Sequence, residues 1–248
     1  MRYLVFALLG AAWFMLAARP ASADVQWHVF NLRREQCFNS LNAYTPEESI
    51  RGCSDIISMR SVTGDGRAQA YKLRGDRFRQ LQDYERALSD YNQVIRMRGD
   101  HPAAYYRRSE VYLAQGQYQL ALADADRVVR LVPETSGGFR VRCEARIETH
   151  EFEAALQDCN QAVAINTIDT AALAARGILN LRVRSYQEAW TDFDAAIFNG
   201  RRNARTLYGR GLAATRLGRP REGAADMAAA EQLDPAIAAT FAGYGLAP

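Results

Sequence analysis

Residues 83–95 read DYERALSDYNQVI. The pattern returns at a step of 34 residues, as QYQLALADADRVV (117–129), EFEAALQDCNQAV (151–163), SYQEAWTDFDAAI (185–197) and RPREGAADMAAAE (219–231). In the first copy Ala87, Tyr91 and Val94 stand four and three residues apart, which puts them on one face of a helix. The matching sets are Ala121, Ala125, Val128; Ala155, Cys159, Ala162; Ala189, Phe193, Ala196; and Gly223, Met227, Ala230. Between the copies runs a second helical stretch with a small residue at Gly75, Ser109, Cys143, Gly177 and Gly211, where a partner helix can approach closely. Turns are expected near Gln82-Asp83, Gly116-Gln117, Glu151, Ser185 and Gly218-Arg219-Pro220. One such helix pair leaves an apolar face in water, so neighbouring pairs must stack to bury it. The period therefore predicts an all-α chain, an α-solenoid of antiparallel helix pairs.

Five units carry the strict period, from Ala68 onward, and a divergent hairpin precedes them. There Thr45-Pro46-Glu47-Glu48 opens a helix over 46–60: Thr45 caps, Pro46 takes the first helical position and Glu48 completes a capping box. Residues 35–44 are expected to be helical, 24–34 form a lead-in with no assigned structure, and 62–67 form a loop. The run 236–244 is expected to be a short helix that covers the last apolar face.

In these columns the chain resembles the tetratricopeptide repeats. The resemblance rests on Gly75 and Phe78 in the first helix, Tyr84 at the turn, Ala87 and Tyr91 in the second, then Tyr112, Tyr118, Ala121 and the closing Pro133. Pro220 and Gly223 depart from the pattern in the last unit, although Pro235 closes it. The resemblance implies that the first helix of each pair lines a concave groove. On the family's groove-facing columns stand Gln69, Lys72, Asp76 and Arg79 from the first unit, and Tyr106, Glu110 and Leu113 from the second. The third contributes Arg140, Glu144 and Ile147, the fourth Ile178, Leu181 and Arg182, and the fifth Arg205, Tyr208, Leu212 and Arg216. The charge on these columns drifts from mixed to basic and apolar, which suits an extended or helical segment with apolar and some acidic side chains. Some family members clamp a chaperone's C-terminal carboxylate with lysine and asparagine. Here Asp76, Glu110 and Glu144 occupy the column where that clamp needs asparagine.

Two further columns keep the period: Arg74, Arg108, Arg142, Arg176, Arg210, and Asp90, Asp124, Asp158, Asp192, Asp226. A binding ladder would explain them. The reading adopted is an Arg–Asp ion pair between packed helices, because each Asp lies within the second helix, behind the groove.

The chain begins MRYLVFALLGAAWFMLAARPASA, with Arg2 ahead of an apolar run and Ala21-Ser22-Ala23 as a small-x-small cleavage site. A secretory leader over 1–23 is expected, too short in its apolar core for a comfortable span. The formal net charge of +3 owes two units to Arg2 and Arg19, so the remainder gives no general reason to bind nucleic acid or an anionic membrane. Lys72 is the sole lysine among 31 basic residues, which fits a GC-rich bacterial genome and hence the periplasm of a Gram-negative cell. Export would place the four cysteines where disulfides persist. Cys37 and Cys53 are centred on Thr45, and Cys143 and Cys159 on Glu151, both turns. Residues equidistant from a hairpin turn face each other, so Cys37–Cys53 and Cys143–Cys159 are the expected pairs. The alternative is four small buried thiols.

Catalytic motifs are poor. The one lysine stands in KLRGD and cannot complete a phosphate loop, and H-E-x-x-H, C-x-x-C and G-x-S-x-G do not occur. His28, His101 and His150 are far apart, with His101 at a repeat junction and His150 at a turn, both expected to be solvated. Nothing calls for a metal or a cofactor. The expected function is a non-catalytic periplasmic scaffold that binds an unidentified protein or peptide, without nucleic acid and without stable membrane insertion once the leader is cut. An alternative is a recognition subunit of a cell-envelope assembly or secretion complex that contacts glycan or a membrane complex.

Overall fold

Thirteen α-helices and no strand follow one another through the described residues, 21–246, of a computed structural model. The leader expected over 1–23 lies outside them save for its last three positions. The first hairpin is α1 (Ala21–Phe38) with α2 (Pro46–Ser58). The five regular units are α3 (Gly64–Gln80) with α4 (Tyr84–Met97), α5 (Pro102–Ala114) with α6 (Tyr118–Leu131), α7 (Ser136–Glu148) with α8 (Phe152–Ile165), α9 (Thr170–Arg182) with α10 (Tyr186–Phe198), and α11 (Ala204–Arg216) with α12 (Pro220–Leu233). A short α13 (Ile237–Gly243) follows.

Every regular hairpin turns in the same way. Gln82, Gly116, His150, Arg184 and Gly218 take positive φ between 58° and 78°, one residue per unit at the repeat step. The next residue's N–H then donates back across the turn, Asp83 to the Phe78 carbonyl at 2.8 Å and Ser185 to the Asn180 carbonyl at 2.8 Å. This is the Schellman closure, which satisfies carbonyls that a helix end leaves bare. Three of the five positions are not glycine, so the turn is held by packing on both sides rather than by backbone freedom alone.

The small column in the first helices works as its chemistry predicts. A Cβ built on Gly75 would stand 2.8 Å from Tyr91 Cε1, and one on Gly177 3.0 Å from the Phe193 ring. Tyr91 and Phe193 are fully buried, their rings lying against the glycine backbone of the partner helix. In the third unit the same two columns hold Cys143 and Cys159, and a disulfide of 2.03 Å replaces the glycine–aromatic contact. Cys37 and Cys53 are joined likewise at 2.06 Å, so both expected pairs are present.

The N-terminal hairpin departs from the expected bounds. Residues 24–34 are helical as part of α1, and the helix ends at Phe38 instead of continuing to 44. Asn39 breaks it with φ 45°, and its side chain pins the turn by donating to the Tyr44 carbonyl (2.7 Å) and accepting from the Tyr44 N–H (3.0 Å). Helix α3 starts at Gly64, inside the loop expected over 62–67 and about one turn before Ala68. The capping box is formed: the Thr45 hydroxyl accepts from the Glu48 N–H at 3.2 Å, and the Glu48 carboxylate accepts from the Thr45 N–H at 2.8 Å. Thr45→Ala is expected to cost about 1 kcal/mol, localised to α2. Faster amide exchange in α2 with unchanged exchange in α9–α12 is the check.

The arginine and aspartate columns form a continuous clamp. Arg142 donates from Nε and Nη2 to both oxygens of Asp158 (2.9 and 2.6 Å) and from Nη1 to Asp126 in the preceding unit (2.9 Å). Arg108 spans Asp124 and Asn92, Arg176 spans Asp192 and Asn160, and Arg210 spans Asp226 and Asp194 in the same manner. Each guanidinium thus ties its own unit together and fastens it to the one before, using the planar fork that lysine lacks. Hydrogen bonding to the paired carboxylates holds Arg74, Arg142 and Arg210 above the ordinary arginine range.

Candidate functional site

The first helices α3, α5, α7, α9 and α11 form one wall, and the expected groove residues divide on it into three zones. At the N-terminal end the charges are spent on one another. Lys72 meets Asp76 at 2.9 Å, and Asp76 also accepts from the Tyr91 hydroxyl (2.9 Å) and lies 3.5 Å from Arg107. Arg107 reaches Glu110 at 2.8 Å, and Glu110 reaches Arg140 at 2.9 Å. Arg140 continues to Glu144 (3.0 Å) and donates to the Tyr106 hydroxyl (2.6 Å). A chain of opposite charges therefore runs across three units. Arg140 is 8% exposed; burial works against its charge, but Glu144, Tyr106 and Glu110 outweigh that and raise its pKa. Burial likewise acts to raise Glu110, yet Arg140 and Arg107 hold it below the usual carboxylate range. Burial, then the neighbouring Asp76 carboxylate, pushes the Tyr91 hydroxyl well up. Gln69 and Arg79 are half-buried beside this network, and Arg79 Nε makes no hydrogen bond among the described residues.

In the middle of the wall a cleft of about 320 Å³ opens. Leu113, Glu144, Ile147, Ile178 and Arg205 of the groove columns line it, together with Tyr118, Glu148, Ala175 and Tyr244. Its floor is apolar and its rim charged. Next to it, Arg182 donates to the Ile147 carbonyl (2.9 Å), with Glu148 at 3.5 Å.

At the C-terminal end the expected surface is covered. Tyr208 is 1% exposed, and Ile178, Leu181 and Leu212 are nearly as deep. They belong to one core with Phe193, Ile237 and Phe241. Phe241 of α13 packs against Tyr208 with tilted rings, centroids 4.9 Å apart, and Tyr244 meets Phe241 edge-on at 5.7 Å. The cap thereby closes Tyr208, while Ile178 still borders the first cleft and Leu181 and Leu212 a second one. Tyr208 falls in the expected groove set because period alone does not say how far a cap reaches. Arg182, Leu212 and Arg216 instead edge a second cleft of about 460 Å³ that also contains Arg184, Tyr186 and Leu246.

Arg107, Tyr118, Arg201 and Tyr244 were not legible as groove residues. Arg107 stands in a column that is apolar at Leu73 and Val141, and Arg201 lies in a turn outside the repeated columns. His101 also differs from expectation: it is half-buried and its Nδ1 accepts from the Ala104 N–H at 3.2 Å, as the cap of α5. Burial lowers its pKa below the ordinary histidine value. Among the described residues no three His, Cys, Asp or Glu side chains gather as a metal site would require.

The tetratricopeptide repeat family model matches residues 72–135. No curated protein matches the chain. Among solved structures, MamA from Desulfovibrio magneticus RS-1 is similar at 23% identity, TM-score 0.59, over 70% of this chain and 96% of that one. TTC0263, a thermophilic repeat protein of Thermus thermophilus, is similar at 20% identity, TM-score 0.61, over 72% and 99%. YrrB, described as having an unusual peptide-binding site, is similar at 19% identity, TM-score 0.51, over 74% and 92%. Likeness at these identities establishes the fold. With the family model on residues 72–135 and the same hairpin, turn and clamp repeated through α12, the chain has the fold of a tetratricopeptide repeat solenoid.

Proposed function

We propose that the chain is a non-catalytic scaffold that holds a protein or peptide segment against α5, α7 and α9, and that it acts after export, in the periplasm. The observation that carries this is the cleft of about 320 Å³ on the concave wall. It is ligand-sized, apolar at its floor and charged at its rim, which is what an extended segment with alternating apolar and polar side chains needs. YrrB, which shares the fold, carries a peptide-binding site by its own description. The leader expected over 1–23 and the two disulfides support export, since such bonds persist in an oxidising compartment. Among the described residues no helix is long and apolar enough to cross a membrane.

A photo-crosslinking side chain at position 113, on the cleft, is compared in living cells with one at position 120, exposed on α6. A discrete protein adduct is expected from 113 and not from 120. Adducts from 120 alone, or equal labelling at both, would count against the groove.

A further inference from the structure

Three arginines converge where the wall passes from α7 to α11. Arg140 is fully engaged with Tyr106, Glu110 and Glu144. Arg201, in the turn before α11, and Arg205, in its first turn, are not. Both Nε atoms are buried without a hydrogen-bond partner among the described residues. Arg205 donates to the Tyr244 hydroxyl at 3.2 Å and lies over its ring at 5.6 Å, a neutral partner only. The acids that face the pair are committed elsewhere. Glu144 is held by both oxygens on Arg140, and Asp169 caps the Ala171 and Ala172 N–H groups while accepting from the Ser136 hydroxyl. Burial, then Arg205, then Arg140 holds Arg201 below the ordinary arginine range. Arg205 also stands at the positive end of the α11 dipole, where an anion is favoured and a cation is not.

Two partly desolvated cations side by side without a carboxylate of their own cost free energy unless an anion joins them. Arg107 and Arg140 on the same wall, by contrast, are neutralised by Asp76, Glu110 and Glu144. Arg205 lines the cleft beside the apolar Ile147, Ala175 and Ile178.

We propose that Arg201 and Arg205 form a subsite for the side-chain carboxylate of an aspartate or glutamate in the bound segment, with the adjoining apolar side chain seated in the cleft. This rests on the groove reading above and specifies what the groove selects. The arrangement is not the chaperone clamp, whose asparagine column holds Asp76, Glu110 and Glu144 here.

The test is selection from a random dodecapeptide library displayed on phage, against the full chain and against an R201Q/R205Q double variant. The variant removes a repulsion and is expected to melt no lower than the parent. The parent is expected to enrich peptides with an acid beside leucine, isoleucine or phenylalanine. A synthetic winner is expected to bind the double variant at least about ten-fold more weakly, the scale of one charge-assisted hydrogen bond. Its Asp→Asn or Glu→Gln counterpart should lose as much on the parent and nothing further on the variant. Arg202→Gln, an exposed neighbour in the same turn, is the control for general attraction and should change affinity less than two-fold. Winners without acids, winners that bind parent and variant equally, or an equal loss in the Arg202 control each overturn the subsite and leave the groove standing. A parent that enriches no peptide overturns both.

Discussion

Asp158→Ala is expected to lower the free energy of unfolding by about 3–5 kcal/mol, the cost of breaking a buried ion pair from one side. Asp158 is 3% exposed and neutralises two arginines at once: Arg142 through both carboxylate oxygens and Arg146 at 2.6 Å. Without it Arg142 keeps only Asp126, whose side chain is more than a third exposed, and Arg146 keeps Glu151 at 3.9 Å. Asp226→Ala is the graded comparison. Asp226 serves one arginine at the end of the array and its side chain is 13% exposed, so a smaller loss is expected. Urea unfolding of both variants is the measurement. A loss under about 1 kcal/mol for Asp158→Ala would place the ladder with exposed surface pairs, which contribute little. Because the aspartates face away from the cleft, peptide affinity of the folded Asp158→Ala protein should stay within two-fold of the parent.

Removing the disulfides is expected to cost on the order of 3 kcal/mol each, the chain-entropy value for a loop of about sixteen residues. The two should fail differently. Cys37–Cys53 ties α1 to α2 at the end of the solenoid, where only α3 supports the hairpin, so its loss should release that hairpin while α5–α12 stay protected from exchange. Cys143–Cys159 sits in mid-array, in columns that hold glycine against an aromatic ring in the first and fourth units. Replacing both by alanine leaves that contact unfilled and should lower the stability of the whole array. Double variants at each pair, compared by urea unfolding and amide exchange, separate these outcomes. Four free thiols by intact mass in protein from its native compartment would falsify the bonds.

Much of the fold was legible because a solenoid repeats its local chemistry. A small residue opposite the partner helix, arginine sixteen residues before aspartate, and cysteines centred on a turn each restate one hairpin geometry, and one hairpin is a short-range object. The errors fall where the period stops. Asn39 ends α1 early through its own side-chain bonds to Tyr44, which no repeated column announces. The groove was legible as a set of columns but not as a surface. Lys72, Asp76, Glu110, Arg140 and Glu144 were each visible, while their fusion into one chain of paired charges required neighbouring units to be set side by side.

From the sequence alone came the helix pairs, their turns, the Arg–Asp clamp and both cysteine pairings, since each depends on residues within one hairpin or on its repeat. Only the tertiary structure decided which groove positions stay open. α13 folds its Phe241 onto Tyr208 and closes that column, and the stacking of the units brings Arg205 and Tyr244 to a cleft lined by α5, α7 and α9. The physical reason is that a small rotation at each stacking interface accumulates along the array, so contacts between distant units depend on the sum of those rotations and not on any single repeat.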